Sequence, residues 1–391
     1  VLKRGEKQVF STQYRPKITG WEGAKTILGK RLYLKTNLWR VIAQTKLPNL
    51  PMKKAYTFCC LCWCLYISAS YQAPIQAQDP HFSQFYASPL YLNPALTGTA
   101  DEGRMLFNYR AQWVSLPGEF ASYTVSYDHN FHHSGSNLGV LASFDKAGSA
   151  GVRSINLGLL YAYTLKVGDQ AAVNVGMQAA YGNRTLNYLQ LVFGDQLSAL
   201  GVINQDSQEN FADLSLHYFD LSAGAVFYTP QFWFGVSAAH LNQPRYGLGT
   251  RADFLPMRIS AQMGYKIYFD SYGPDDQAFS LHPMVYYARQ GDMQQLDLAA
   301  NLSLSPVLMG LGYRGVPIGG QGWSAAVITG GFRYQDFAFL YSYDFPVGRL
   351  ARATGGAHEL TLRLDLNYPH GSSMSYNPRK RKKGRVAFPS F

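Results

Sequence analysis

Hydrophobic and polar residues alternate along most of this chain. In 358–368, Leu360, Leu362, Leu364, Leu366 and Tyr368 hold every second position, with Glu359, Thr361, Arg363, Asp365 and Asn367 between them. Successive strand side chains point to opposite faces, so this run predicts a strand with one apolar and one charged face. Val173, Val175, Met177, Ala179 and Tyr181 alternate with Asn174, Gly176, Gln178 and Ala180 in the same way. Phe337, Phe339, Tyr341, Tyr343 and Phe345 form a third apolar face, opposite Ser342 and Asp344. Tyr123, Val125 and Tyr127 face away from Ser122, Thr124, Ser126 and Asp128. The same reading predicts about fourteen strands, near 103–114, 119–130, 136–147, 153–167, 170–183, 216–229, 231–241, 256–269, 277–290, 294–305, 307–315, 322–334, 336–346 and 357–368.

Many of these segments exceed the five or six residues usual in soluble sheets and reach the roughly 9–11 that cross a bilayer when tilted. Connection lengths carry a second signal. In a barrel with both termini in the periplasm the odd-numbered connections lie outside, where loops are longer. Here the fifth (184–215) is the longest, and the seventh (242–255) and thirteenth (347–356) are also long. Even connections centre on Gly168-Asp169, Thr229-Pro230, Ser305-Pro306 and Gln335-Asp336, with the eighth (270–276) of moderate length. The fold class expected is therefore all-β, a transmembrane antiparallel β-barrel of about 14 strands over 103–368.

Aromatic content agrees. There are 28 Tyr, 23 Phe and 6 Trp, and Tyr109, Trp113, Trp233, Tyr268, Trp323, Tyr343 and Tyr368 fall near strand ends, as interface girdles require. A soluble sandwich or propeller also uses alternating aromatics. Strand length, loop parity and a cysteine-free chain beyond Cys64 favour the membrane barrel. Glu359, Arg363 and Asp365 would then line a polar lumen.

A formal charge of +11 would by itself suggest a nucleic-acid binder. Its distribution removes that reading. Met52-Lys53-Lys54 opens a basic region, AYTFCCLCWCLYISAS (55–70) follows, and QAPIQAQ places Ala77 at a cleavage position. Residues 52–77 thus have the three-part form of a secretory signal peptide, with an apolar run shorter than the roughly 20 residues of a spanning helix. Residues 1–51 read as a non-native upstream extension, the alternative being a cytoplasmic extension before a signal anchor. Residues 1–77 hold 13 of the 35 Lys/Arg and 2 of the 24 Asp/Glu, which leaves 22 of each from Gln78 onward. Six of those cations lie in 379–385, so 78–378 carries a net charge of −6, and no nucleic-acid partner is expected. All four cysteines (Cys59, Cys60, Cys62, Cys64) sit in the signal's apolar core, a poor place for a metal site or a disulfide.

Candidate catalysis is thin. His132-His133 falls in a predicted turn, and His358-Glu359 lacks a second histidine at metal-binding spacing. Gly319-Gly320-Gln321-Gly322 and Gly330-Gly331 lack the strand-to-helix setting of a phosphate cradle. No enzyme activity, cofactor or metal is expected.

Two segments outside the alternation carry the candidate contacts. QDPHFSQFYASPLYLNPALTG (78–98) combines ladder-breaking Pro80, Pro89 and Pro94 with Phe82, Phe85, Tyr86 and Tyr91. Within a periplasmic N-terminal segment, 78–102, it would pack on the barrel's periplasmic mouth or on a neighbouring protein. Asp79, Pro80, Phe82, Phe85, Tyr86, Asn93 and Pro94 are its candidate partner-binding residues. The basic periplasmic tail, 369–391, concentrates Arg379, Lys380, Arg381, Lys382, Lys383 and Arg385 before Phe388 and Phe391. It reads either as a solvated terminus or as a hook that meets an acidic partner or anionic headgroups, with Phe388 and Phe391 docking.

These residues resemble a known family. A signal followed at once by QDPHFSQF (78–85), then LNPALTG (92–98), GAHEL (356–360) near the last strand and a terminal Pro389-Ser390-Phe391 is similar to the PorP/SprF family of type IX secretion membrane proteins. The resemblance covers 78–391. Phe388 stands where many relatives carry a cysteine. The resemblance implies a non-enzymatic barrel held in outer-membrane lipid, working with periplasmic ring and motor proteins of type IX secretion and, in gliding bacteria, with a surface adhesin. It also implies contact with the sorting domain of a secreted cargo. The alternatives are a porin-like or substrate-specific transporter and an outer-membrane hydrolase.

Overall fold

The computed structural model describes residues 79–116, 118–131, 134–148, 151–186, 196–198, 201–202, 215–248, 253–269, 279–315, 324–347, 354–366 and 388. The expected extension (1–51), the signal peptide (52–77) and all of the tail except Phe388 lie outside these residues.

Fourteen strands form the wall: β1 (Gly103–Gln112), β2 (Glu119–Phe131), β3 (Ser136–Gly148), β4 (Val152–Lys166), β5 (Ala172–Thr185), β6 (Ser215–Tyr228), β7 (Phe232–Ala239), β8 (Arg258–Tyr265), β9 (Ser280–Gln290), β10 (Met293–Leu304), β11 (Val307–Gly315), β12 (Ser324–Tyr334), β13 (Phe337–Val347) and β14 (Ala357–Leu366). Each pairs antiparallel with its neighbours in sequence, and β1 pairs with β14 from Gly103↔Leu366 to Gln112↔Ala357. The sheet is closed, which satisfies every wall strand on both edges, as a lipid environment demands. Beyond Lys266 the edge of β8 resumes at Ile267–Tyr268 against Leu281 and Ser280. Among the described residues no helix is long and apolar enough to cross a membrane; in this fold the strands do so. The number and order of strands match the expectation from alternation.

Burial is inside out. Leu159 is 69% exposed, Leu311 67% and Met177 62%, all on the outer wall, while Asp128 and Asp344 are 0% and Glu359 is 1% exposed within the lumen. An apolar outer face around a polar interior is the arrangement of an outer-membrane barrel. On β14, Glu359, Thr361 and Arg363 are buried, and Leu364 is exposed. Two expected girdle residues differ. Trp113 lines a cavity inside the barrel end where β1 stops, with its indole N–H buried. Trp233 is 3% exposed and donates its indole N–H to His282 Nε2 at 3.3 Å inside the barrel. The position of Trp233 beside a turn resembles a girdle site in sequence, but alternation along β7 puts it on the inner face.

The two barrel ends are distinct. At the near end lie Gly103, where β1 begins, and Leu366, where β14 ends. The long connections after β5, β7 and β13 are at the far end. After β7, Leu255 is buried and Tyr246 stacks under Arg184 at 4.0 Å.

Residues 79–102 occupy the lumen. A 3₁₀ turn (Phe85–Ala87), a one-turn helix (Pro89–Leu92) and a second 3₁₀ turn (Pro94–Leu96) carry the chain from the far end down to β1. The expectation of a segment gathered at the mouth where β1 begins is corrected here: Asp79 lies at the opposite end, beside Arg258 and Gln290. The cause is polar. Short helical turns leave backbone groups unpaired, and the lumen wall supplies their partners.

Candidate functional site

The lumen segment is held at three levels. At the far end, the Asp79 carboxylate meets His240 Nε2 at 2.7 Å and Arg258 Nη1 at 3.0 Å, while His240 Nδ1 lies 3.0 Å from Asp220 Oδ1. Burial alone would raise the Asp79 carboxyl, but the His240 and Arg258 charges hold it well below the usual range. Burial opposes a charge on His240 too, yet Asp79 and Asp220 raise its pKa to about 9. His81 lies 2.7 Å from Asp297, and burial nevertheless pushes it down to about 4, so the neutral ring donates from Nε2.

Below this clamp, the backbone N–H groups of Ser83 and Gln84 donate to the two oxygens of Glu359 at 2.7 and 2.9 Å. The Ser83 hydroxyl donates to Asp344 Oδ2 at 2.7 Å, and Arg110 bridges Glu359 (2.9 Å) and Asp344 (2.7 Å). Arg314 donates to the Ser83 oxygen at 3.0 Å. Glu359 therefore serves an ion-pair network, because charges taken out of water persist only when paired and hydrogen-bonded.

The third level is apolar and tight. Phe85 and Tyr86 pack with Met284, Tyr286, Leu308 and Leu340. Asn93 accepts from Ala95 N at 2.9 Å, capping the Pro94 turn, and its amide donates to Val236 O at 3.0 Å. Asn174 donates to Ala95 O (2.6 Å) and Thr97 O (3.1 Å), and Gly98 N donates to Asp128 Oδ2 at 2.8 Å. The wall beneath is glycine. A Cβ at Gly176 would collide with Pro94 O, one at Gly224 with Asn93 Oδ1, and one at Gly139 would press on Leu90 and Thr97. The Asn-Pro-Ala-Leu-Thr-Gly run is thus seated against wall glycines, between side chains such as Asn174 and Asp128 that hold its backbone.

Of the candidate partner-binding residues, Asp79, Pro80, Phe82, Phe85, Tyr86, Asn93 and Pro94 all lie on the lumen segment, spread from the far end to the glycine-lined wall inside the chain's own barrel. Arg379, Lys380, Arg381, Lys382, Lys383, Arg385 and Phe391 lie outside the described residues. Phe388 docks at the near end, its ring 5.4 Å from Tyr228 and 5.5 Å from Trp233, against the same apolar cluster. Sequence reasoning missed Arg110, Arg314, His240 and the wall glycines. Arg110 was findable, since it alternates with Arg104 and Asn108 on the inner face of β1. The glycines carried no signal beyond strand kinking.

Comparison with known proteins finds barrels of low identity. TodX, the toluene transporter of Pseudomonas putida, is 9% identical with a TM-score of 0.43, covering 71% of this chain and 93% of its own. A Pseudomonas aeruginosa FadL homologue is 13% identical (TM-score 0.40; 71% and 94% covered). The outer membrane protein Omp33 of Acinetobacter baumannii is 11% identical (TM-score 0.39; 69% and 100% covered). No curated protein matches. The model for the type IX secretion system membrane protein PorP/SprF matches residues 75–364, nearly the whole barrel and its lumen segment. The chain belongs to the PorP/SprF family of type IX secretion system membrane proteins.

Proposed function

We propose that this protein is a non-enzymatic outer-membrane component of type IX secretion that helps to secrete or anchor a surface protein, such as an adhesin, through its sorting domain. Family membership over residues 75–364 carries the reading. In it, residues 52–77 direct export and 1–51 stand outside the working protein. The long connections face the cell surface, and the near end faces periplasmic ring and motor proteins. The basic tail, from Arg379 to Phe391, reaches toward that apparatus. Transport through the lumen would require residues 79–102 to leave their seat, so the filled interior supports the secretion reading over the porin-like one.

Purification of the native protein from the outer membrane tests this. Secretion-system proteins should co-purify, and their yield should fall when 379–391 is deleted, with heat-modifiable folding unchanged. Reconstituted protein should pass no steady ion current. A conducting barrel that brings no secretion proteins with it would sink the proposal.

A further inference from the structure

On the outer wall toward the far end, β4, β5 and β6 align their residues in cross-strand rows. Arg153, Thr185 and Ser215 share the topmost row, and Ile155, Asn183 and His217 the next. Leu157, Tyr181 and Phe219 follow, then Leu159, Ala179 and Leu221. The rows pass from cationic and polar to aromatic to aliphatic, which is the order met on entering a bilayer from the headgroups. Depth agrees. Arg153 stands six residues above Leu159 on β4. At about 3.3 Å per residue and a tilt of roughly 45°, that is about 14 Å, close to half of a hydrocarbon core about 30 Å thick.

The upper rows form a donor-rich patch without a counter-charge. Arg153 is exposed, and no ion pair among the described residues engages it. The single acidic residue of the three strands, Asp220, is buried on the inner face beside His240. Tyr181 Oη lies 2.6 Å from His217 Nδ1, and Asn183 Nδ2 donates to Ser215 Oγ at 3.1 Å. With Nδ1 accepting from the phenol, Nε2 is the His217 nitrogen that donates. The main chain adds to the patch. β5 pairs with the whole of β6, but the β7 ladder starts only at Ala223↔Ala238. Asn242 covers the next groups, its side chain meeting Leu221 N at 3.1 Å and Phe219 O at 2.6 Å. Alternate residues of a strand turn their N–H and C=O to the same side, so His217 presents both on this edge. Among the described residues no strand lies opposite it. An unpaired edge on the lipid side is stable only where polar groups reach it, as headgroups do.

We propose that this patch binds the phosphate of an anionic phospholipid headgroup. Arg153 supplies the charge and a planar fork that matches phosphate oxygens. The hydroxyls of Thr185 and Ser215 and the His217 Nε2–H and main-chain N–H donate beside it. The acyl chains lie below, over exposed Leu157, Leu159 and Met177 and past the small Ala179. A second copy of the chain does not fit the open edge. Two barrels upright in one membrane, related by a two-fold along its normal, bring strands tilted by roughly 45° together crossed and not antiparallel. The site is independent of which machinery the barrel serves.

The test is native mass spectrometry of the purified full-length protein, titrated in detergent micelles with dioleoylphosphatidylglycerol, dioleoylphosphatidylcholine or dioleoylglycerol, which share their acyl chains. Phosphatidylglycerol should bind more tightly than the other two by about tenfold or more, the size of one hydrogen bond to a charged group. Arg153→Gln should remove that preference while heat-modifiable folding stays unchanged. Arg289→Gln is the control, an exposed cation on the same rim whose Nε already donates to Gly291 O at 3.2 Å, and it should keep the preference. Equal retention of the three lipids, an unchanged preference in Arg153→Gln, or an equal loss in Arg289→Gln overturns the site. Displacement of the lipid by an equal concentration of inorganic phosphate overturns the assignment to a lipid in favour of a free anion.

Discussion

At Gly224 the wall and the lumen segment come too close for any side chain, because Asn93 Oδ1 fills the place a Cβ would take. Gly224→Ala should therefore cost about 1–3 kcal/mol through overpacking and unseat the Asn93-Pro94 turn. Limited proteolysis of the purified barrel should show faster cleavage within residues 79–102. Gly330→Ala is the matched control, since nothing lies within 4 Å of a Cβ there, and it should be close to silent. Equal protection in both variants would remove the close approach as an explanation. Nothing in the sequence distinguished these two glycines. Both sit in alternating strands, and the difference arises from a segment more than 130 residues away from Gly224.

Strands were legible because their pattern is local: alternate positions must serve lipid on one side and lumen on the other, and period two records that in the residues themselves. The lumen segment was legible as an element that cannot join a ladder, through Pro80, Pro89 and Pro94. Its path was not legible. Each hydrogen bond that guides it, such as Gln84 N to Glu359 or Asn174 to Ala95 O, joins residues far apart in sequence. The tail divides similarly. Its cations announce themselves, but the socket for Phe388 is made by Tyr228 and Trp233 across a turn between β6 and β7. Phe388→Ala should abolish that docking, at a cost of about 1 kcal/mol, below that of a fully buried ring because Phe388 is only partly buried. Trypsin should then cleave the Arg379–Arg385 region faster while the barrel stays heat-modifiable. An unchanged cleavage rate would show that the socket does not restrain the tail.

For the whole molecule, stability depends on two different solvents. Lipid meets the outer wall, where Leu159 at the middle of β4 is 69% exposed. Leu159→Arg should destabilise the barrel by about 2–4 kcal/mol, the depth-dependent cost of a cation near the midplane, measured by refolding into bilayers across a urea series. A negligible change would place Leu159 outside the hydrocarbon. The interior is held by charge pairs that cross the seam: Arg110 belongs to β1, Asp344 to β13 and Glu359 to β14, and Ser83 touches the carboxylates of both. That geometry has a consequence for assembly. Ser83 and Glu359 lie 276 residues apart, so their bond needs nearly the whole chain in place. Until β14 meets β1, the first-made segment has no completed receptor, and Arg110 has no counter-charge from the last strand. The oldest part of the chain thus acts as a checkpoint for the newest, locking only when the seam has zipped in register.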